Sequence, residues 1–283
     1  MMLKIAILIT SHNRKNLTLK CLSYLFAQKA LGSEYEFQVF LVDDASTDGT
    51  GKAVAEQFPV VHLVLGTGSL YWNRGMHLAW QEAVASGQNF DYYLWLNDDV
   101  VLYENAILHL LNCANQSEEK GIICGVFESE KHSNSISYGG GNMKGKVYYP
   151  NELKIKELQE CTIINGNCVL IPEYVFTIVG FIDPIFPHSL GDHDYALRAN
   201  KKGIKSYTSQ EFIGHCSKNA SLPKWCLPEV SLTKRIQSLY SPLGNSHPYY
   251  YTIYINRHFG LFKAVKNFIT IHIRVLFPSL WKS

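Results

Sequence analysis

The sequence predicts an α/β protein with a Rossmann-like, mostly parallel sheet flanked by helices and a helical C-terminal extension. Three observations carry that prediction. Over the first 130 residues, apolar runs at 4–10, 37–43, 60–65, 92–97 and 121–127 alternate with helix-like segments near 16–28, 48–57, 74–86 and 104–115. The runs are apolar throughout, as expected of strands covered on both faces. Two of them end in paired carboxylates, Asp43-Asp44 and Asp98-Asp99. Open α/β sheets bind their ligands beyond the carboxyl ends of the strands.

Taken in order, the elements support this reading. Alternating strand and helix units predict parallel pairing through right-handed crossovers. Ser46-Thr47-Asp48 follows the second run and can cap the next helix. After residue 128 the pattern changes. Ser137–Gly141 and Lys144–Tyr149 read as a hairpin or flap, followed by a short strand near 161–164. Asn165-Gly166-Asn167 reads as a turn before a strand at 168–171, and Pro172 suits the first position of a helix. A helix is expected from Asp192 to Lys202, ending at Gly203, then strands near 205–207 and 211–214.

The last segment, 253–277, reads as one helix. Ile255, Phe259, Phe262, Val265, Ile269, Ile273 and Leu276 recur at steps of three or four and share a face. Two destinations stay open for that face: the body of the protein or a membrane surface. The expected division is a domain over 1–220 and a basic extension over 221–283.

Composition narrows the function classes. The chain has 283 residues, 47% of them hydrophobic, enough for a substantial core. No apolar run reaches the roughly 18–20 residues of a spanning helix. The N-terminus lacks signal-peptide features. Seven cysteines without CxxC spacing suit reduced thiols in a cytoplasmic protein, and no zinc cluster is expected. Net charge is +2, but no acidic residue follows Glu229. Lys234, Arg235, Arg257, Lys263, Lys266, Arg274 and Lys282 make the tail basic, so the remainder is mildly acidic. That distribution argues against nucleic acid as a partner and allows a peripheral position on an anionic membrane face.

The strand-end carboxylates suggest hard-ligand chemistry, with Mg²⁺ or Mn²⁺ bridging to a diphosphate. Four segments then form an ordered set: Ile7–Arg14 (ILITSHNR), Leu41–Thr50 (LVDDASTDGT), Leu96–Asp99 (LNDD) and Gly191–Arg198 (GDHDYALR). Together they resemble family 2 glycosyltransferases, over about residues 3–218. The resemblance implies the GT-A fold, a nucleotide-sugar donor and an inverting mechanism. It places Thr10 and Asp44 at the base, with Asn13 and Arg14 in the same donor-binding set. Asp99 becomes the metal ligand, Asp98 a contact to the ribose or donor sugar, and His215 a second metal ligand. Asp192 matches the catalytic base, with Asp194 as the fallback and Arg198 orienting carboxylates or phosphates. Many family members carry Glu-Asp where this chain has Gly191-Asp192. Tyr71 and Trp72 would bound the donor sugar and Arg74 meet phosphate, while Asn165-Gly166-Asn167 resembles a turn on the acceptor side.

The Gly-Ser-Leu-Tyr-Trp and Gly-Asp-His-Asp-Tyr segments resemble rhamnosyltransferase-like members that build bacterial surface polysaccharides. The donor implied is dTDP-rhamnose or a UDP-hexose, and the acceptor a saccharide or lipid-linked saccharide. Two other classes stay open: a sugar-phosphate nucleotidyltransferase, and a non-catalytic sugar- or membrane-binding module.

Overall fold

The computed structural model describes residues 2–29, 34–117, 120–144, 146–148, 157–217 and 222–280. The expected boundary at 220/221 lies outside the described residues, as do Gly145, Tyr149 and Lys282. In chain order the elements are β1 (Leu3–Ser11), α1 (Lys15–Phe26), β2 (Tyr35–Asp43), α2 (Thr50–Gln57), β3 (His62–Leu65), α3 (Tyr71–Ala85), β4 (Tyr92–Leu96), β5 (Val101–Leu102), α4 (Ala106–Gln116), β6 (Ile122–Glu128), β7 (Ile136–Tyr138), β8 (Asn142–Lys144), β9 (Lys146–Tyr148), β10 (Gln159–Cys161), β11 (Cys168–Pro172), α5 (Glu173–Val179), α6 (Gly191–Lys201), β12 (Ser206–His215), α7 (Leu232–Leu239), α8 (Pro248–Phe259) and α9 (Leu261–Leu276).

The main sheet runs β10-β12-β6-β11-β4-β1-β2-β3. Its β4-β1-β2-β3 half is parallel, as the strand–helix alternation predicts. Beyond β4 the order departs from expectation. β6 does not pair with β4, because β11 lies antiparallel between them. The two strands expected near 205–207 and 211–214 form one strand, β12, with register shifts between Thr208 and Gly214. Those shifts let a single strand bend without ending. Within the region read as a hairpin or flap, β8 pairs antiparallel with β9, whereas β7 pairs with β6.

Strand periodicity explains the continuous apolar runs. Along β1, Ile5, Ile7 and Ile9 enter one core layer with Leu22 and Leu25 of α1 and Leu110 of α4. Ala6 and Leu8 enter the opposite layer, with Trp80 of α3 and Tyr195 of α6. Both faces of its middle are therefore dry, and polar side chains appear only towards its ends, at Lys4, Thr10 and Ser11. All seven cysteines are buried and unbridged.

The tail packs on the body through one apolar cluster and on itself through another. Tyr254 and Ile255 of α8 pack on Phe186 and Leu190. Ile271 and Val275 of α9 pack on Trp225, Cys226 and Leu239. The single helix expected over 253–277 is two helices, broken at Gly260, whose φ is +90°. The predicted stripe divides at the break. Ile255 is buried, whereas Phe262, Val265, Ile269, Ile273 and Leu276 face solvent. No helix among the described residues is long and apolar enough to cross a membrane.

Asp194 fastens α8 to α6. Its carboxylate is fully buried and accepts from Arg198 Nε at 2.8 Å, Arg257 Nη1 at 2.9 Å and His258 Nε2 at 2.8 Å. Burial pushes its pKa up, but the His258 hydrogen bond and the two guanidinium groups outweigh that and hold it below the ordinary 3.8. Removing one partner of a buried ionic cluster typically costs about 3–5 kcal/mol, since the remaining charges stay buried without compensation. Asp194→Asn is therefore expected to lose about that much stability at pH 7, measured by urea denaturation. Because the folded-state pKa is depressed, the stabilisation is complete above the unfolded value and is lost as pH falls through the folded value. The gap between wild type and variant should close below pH 3.8.

Candidate active site

Parallel register brings the carboxyl ends of β2, β1 and β4 to one edge. Ser11 pairs with Asp43, and Leu8 with Trp95. Thr10, Asp44, Asp98 and Asp99 consequently line a single cleft of about 930 Å³. Asp192, at the start of α6, lines the same cleft, as do Arg14, Tyr71 and Trp72.

Arg14 holds the strand-end carboxylate pair. Its Nη1 lies 3.1 Å from Asp98 Oδ1 and 2.8 Å from Asp99 Oδ2. Asp98 is 4% exposed, and its Oδ2 accepts from Thr18 Oγ1 at 3.3 Å. Burial raises the Asp98 pKa, against the opposing Arg14 charge. Asp99 Oδ1 is buried and has no hydrogen-bond partner. A buried carboxylate oxygen without a donor is costly unless something positive meets it. This oxygen, with Asp98 beside it, fits a hard divalent cation that takes its other ligands from water and phosphate. Among the described residues no set of three or more His, Cys, Asp or Glu side chains is grouped to hold a metal. His215 ends β12 against Tyr103 and is not among the residues lining the cleft. Its neighbour Cys216, just beyond the end of β12, lines the cleft. Burial and the nearby Asp99 push the Cys216 thiol up to about 12.

Asp44 organises the loop between β3 and α3. Its Oδ1 accepts from Gly68 N at 2.6 Å, and its Oδ2 from Leu70 N at 2.8 Å and Tyr71 N at 3.2 Å. A Cβ at Gly66 would stand 2.6 Å from Asp44 Oδ1, so the loop closes on the carboxylate only with glycine there. Asp44 is therefore a loop anchor as well as a cleft residue, and Oδ1 retains acceptor capacity. Thr10 lies under α3, where a Cβ on Gly75 would overlap its hydroxyl.

Several expected contacts are engaged within the protein. Asn13 does not line the cleft; its Oδ1 accepts from Thr47 N at 2.7 Å and shapes the 46–48 turn. Arg74 donates to the carbonyls of Pro184 and Ile185 and also lies off the cleft. Arg198 spends its donors on Asp194, Val179 O and Phe181 O. Asp194 is closed off by its three cationic or imidazole partners. These four side chains hold backbone and helices in place, and the structure does not bring them to the cleft.

Asp192 sits at the end of a chain of contacts that begins beside Asp98. Asn97 Oδ1 accepts from Trp72 Nε1 at 2.7 Å. The Trp72 indole fills the space where Gly166 would carry a Cβ. Gly166 N donates to Asp192 Oδ2 at 2.9 Å, and His193 N to Asp192 Oδ1 at 2.8 Å. The turn at 165–167 is thus built around the aspartate. Gly191 also gains an explanation: a Cβ there would overlap Asn73 Oδ1. Asn73 is fully buried and donates to Asp183 O and Phe186 O, both at 2.7 Å, so it cannot move aside cheaply.

Other cleft residues escape a motif-based reading. His12 donates from Nδ1 to the Asp44 carbonyl at 2.6 Å. His188 Nδ1 accepts from Trp72 N at 3.4 Å, leaving the proton of the neutral ring on Nε2. Burial lowers the His188 pKa, with Asp192 opposing. Tyr251, Tyr254 and Ile255 of α8 form a further wall. The only sequence signal for them is the aromatic run His247–Tyr254.

The family profile for "Glycosyl transferase family 2" matches residues 6–176. The chain belongs to this family. An uncharacterized glycosyltransferase of Rickettsia typhi is 28% identical over 110 residues, 38% of this chain and 33% of that protein. The match thus spans about a third of that relative's length. N-acetylglucosaminyl-diphospho-decaprenol L-rhamnosyltransferase of Mycobacterium tuberculosis is 24% identical over 220 residues, 69% of this chain and 71% of that one. Among solved structures, S. aureus TarS 1–349 in complex with UDP-GlcNAc aligns with a TM-score of 0.55 at 15% identity, over 95% of this chain and 81% of that one. The mannosyltransferase PcManGT of Pyrobaculum calidifontis, in complex with GDP-Man and Mn²⁺, aligns with a TM-score of 0.54 at 15% identity, over 100% and 77%. The fold of this chain is the GT-A fold of these glycosyltransferases.

The contact between Asn73 and Gly191 has a thermodynamic signature. Gly191→Ala should cost about 1–3 kcal/mol, the usual range for an overpacked site. Asn73→Ala should also destabilise, by freeing two buried carbonyls. The double variant should be more stable than the sum of the two losses, because shortening Asn73 removes the atom that a Cβ at position 191 would overlap. Chemical denaturation of the three variants checks this.

Proposed function

We propose that this family 2 glycosyltransferase is a divalent-metal-dependent inverting enzyme acting in bacterial surface polysaccharide synthesis. It moves a sugar from a nucleoside-diphosphate donor to a hydroxyl of a saccharide or lipid-linked saccharide. The observation that carries the reading is that Asp192 and the Asp98–Asp99 pair line one cleft and are braced to each other through Asn97, Trp72 and Gly166. An inverting transfer needs a base on the acceptor side and charge stabilisation on the leaving-group side, at fixed separation.

In this reading Thr10, His12 and Asp44 border the nucleotide base, and Tyr71 and Trp72 the donor sugar. Asp99, with Asp98, would hold Mg²⁺ or Mn²⁺, and such an ion would supply positive charge on the diphosphate side. Arg14, already held by both carboxylates, adds a fixed positive charge on the same side. Asp192 takes the proton of the attacking hydroxyl while the Gly166 and His193 N–H groups keep its orientation. The donor is dTDP-rhamnose or a UDP-hexose. The name of the M. tuberculosis relative supports rhamnose and a polyprenyl-diphosphate-linked acceptor, the TarS complex supports a UDP sugar, and the Mn²⁺ complex of PcManGT supports the metal. A lipid-linked acceptor lies at a bilayer surface, so the enzyme works from the cytoplasmic side as a peripheral protein.

Two variants test the assignment with a panel of nucleotide sugars. Asp99→Ala should abolish the divalent dependence of nucleoside diphosphate binding in calorimetry while the thermal melt persists. Unchanged affinity for the metal–nucleotide complex would remove Asp99 from the metal site. Asp192→Asn should slow turnover by roughly 10²–10⁴-fold with little change in donor affinity, since the lost group acts on the acceptor. A near-normal rate in Asp192→Asn would place the base elsewhere.

A further inference from the structure

We propose that the outer face of α9 docks the protein onto an anionic lipid surface. Phe262, Val265, Ile269, Ile273 and Leu276 recur every three or four residues along α9, and their exposures are 83%, 49%, 52%, 44% and 50%. A helix normally turns such a stripe inward. Here the inward face is already taken by Ala264, Ile271 and Val275, which are buried. Rotating α9 to hide the outer stripe would expose those three, so one helix carries two apolar faces of which the rest of the protein covers one. Exposed apolar area of this extent on a single element marks an interaction surface.

Charge selects the occupant. Lys263 and Lys266 lie on the flank of the outer stripe, are exposed, and make no ion pair among the described residues. No acidic residue follows Glu229 to offset them. A second copy of this chain related by a two-fold axis through α9 would bring the same lysines together with no carboxylate from either tail. An anionic bilayer satisfies both features: the stripe enters the headgroup–acyl boundary while the lysines meet lipid phosphates. The surface is independent of the reaction proposed above, and its test uses no substrate. It does bear on the cleft, because α9 follows directly, through Gly260, from α8, whose Tyr251, Tyr254 and Ile255 line it.

Co-sedimentation of the full chain with vesicles decides the matter. At low salt the protein should pellet with vesicles containing phosphatidylglycerol and far less with pure phosphatidylcholine. Lys263→Glu with Lys266→Glu should lower the partition coefficient at least about tenfold, given the contribution of each basic residue near an anionic leaflet. Phe262→Ser with Ile269→Ser should lower it as well, and both double variants should keep the wild-type melting temperature. The proposal is overturned if wild type ignores anionic vesicles at low salt, or if neither double variant weakens binding. It is equally overturned if light scattering shows a dimer that Phe262→Ser with Ile269→Ser dissociates while vesicles are not bound. That result would assign the face to a second copy.

Discussion

The buried negative charge of Asp194 is the constraint on which the cleft rests. It lies two residues after Asp192 on α6 and draws Arg257 and His258 from α8 onto that helix. The same arginine reaches Asp183 at 2.8 Å, in the segment that Asn73 and Arg74 hold from the other side. One carboxylate thus ties the helix bearing the proposed base to the helix forming the cleft wall. Such a cluster contributes little net energy over an apolar replacement. What it supplies is geometry, since hydrogen bonds to a charged group tolerate little displacement.

Much of this arrangement was legible in the chain. Runs such as Tyr92–Leu96 are apolar on both strand faces, so their ends could be located, and with them the carboxylates at the sheet edge. The partners of the arginines were only partly legible: Arg198, read as orienting carboxylates or phosphates, grips Asp194 and also two main-chain carbonyls. A guanidinium binds a carbonyl or a phosphate with the same donors, and only the fold reveals that Arg74 and Arg198 face main-chain oxygens. His215 ends β12 against Tyr103, and it is the following residue, Cys216, that lines the cleft. The insertion of β11 between β4 and β6 was hidden as well, because apolarity records burial and not the choice of neighbour.

Four of the seven non-glycine residues with positive φ among the described residues lie in or beside the cleft-forming loops. Asn13, Ala45, Tyr71 and Leu190 all have φ between +52° and +77°. Ala45 follows Asp44, Tyr71 opens the helix that Asp44 receives, and Leu190 precedes Gly191-Asp192. Non-glycine residues in this region carry a cost of order 1–3 kcal/mol, sustained only where surrounding contacts dictate it. The contacts that dictate it here are those of Asp44 with the 68–71 amides and of Asn73 with the 183–186 carbonyls.

Gly260 joins α8, which walls the cleft, to α9, which turns its second apolar face to solvent. Its φ of 90° and ψ of 162° fall in a region open essentially to glycine alone. The angle between catalytic wall and outer helix is therefore written in one residue without a side chain. Drift in the amino acids along either helix would alter what each touches, but not where each points. The bearing of the enzyme toward whatever α9 meets is inherited as a backbone property, separable from the chemistry it serves.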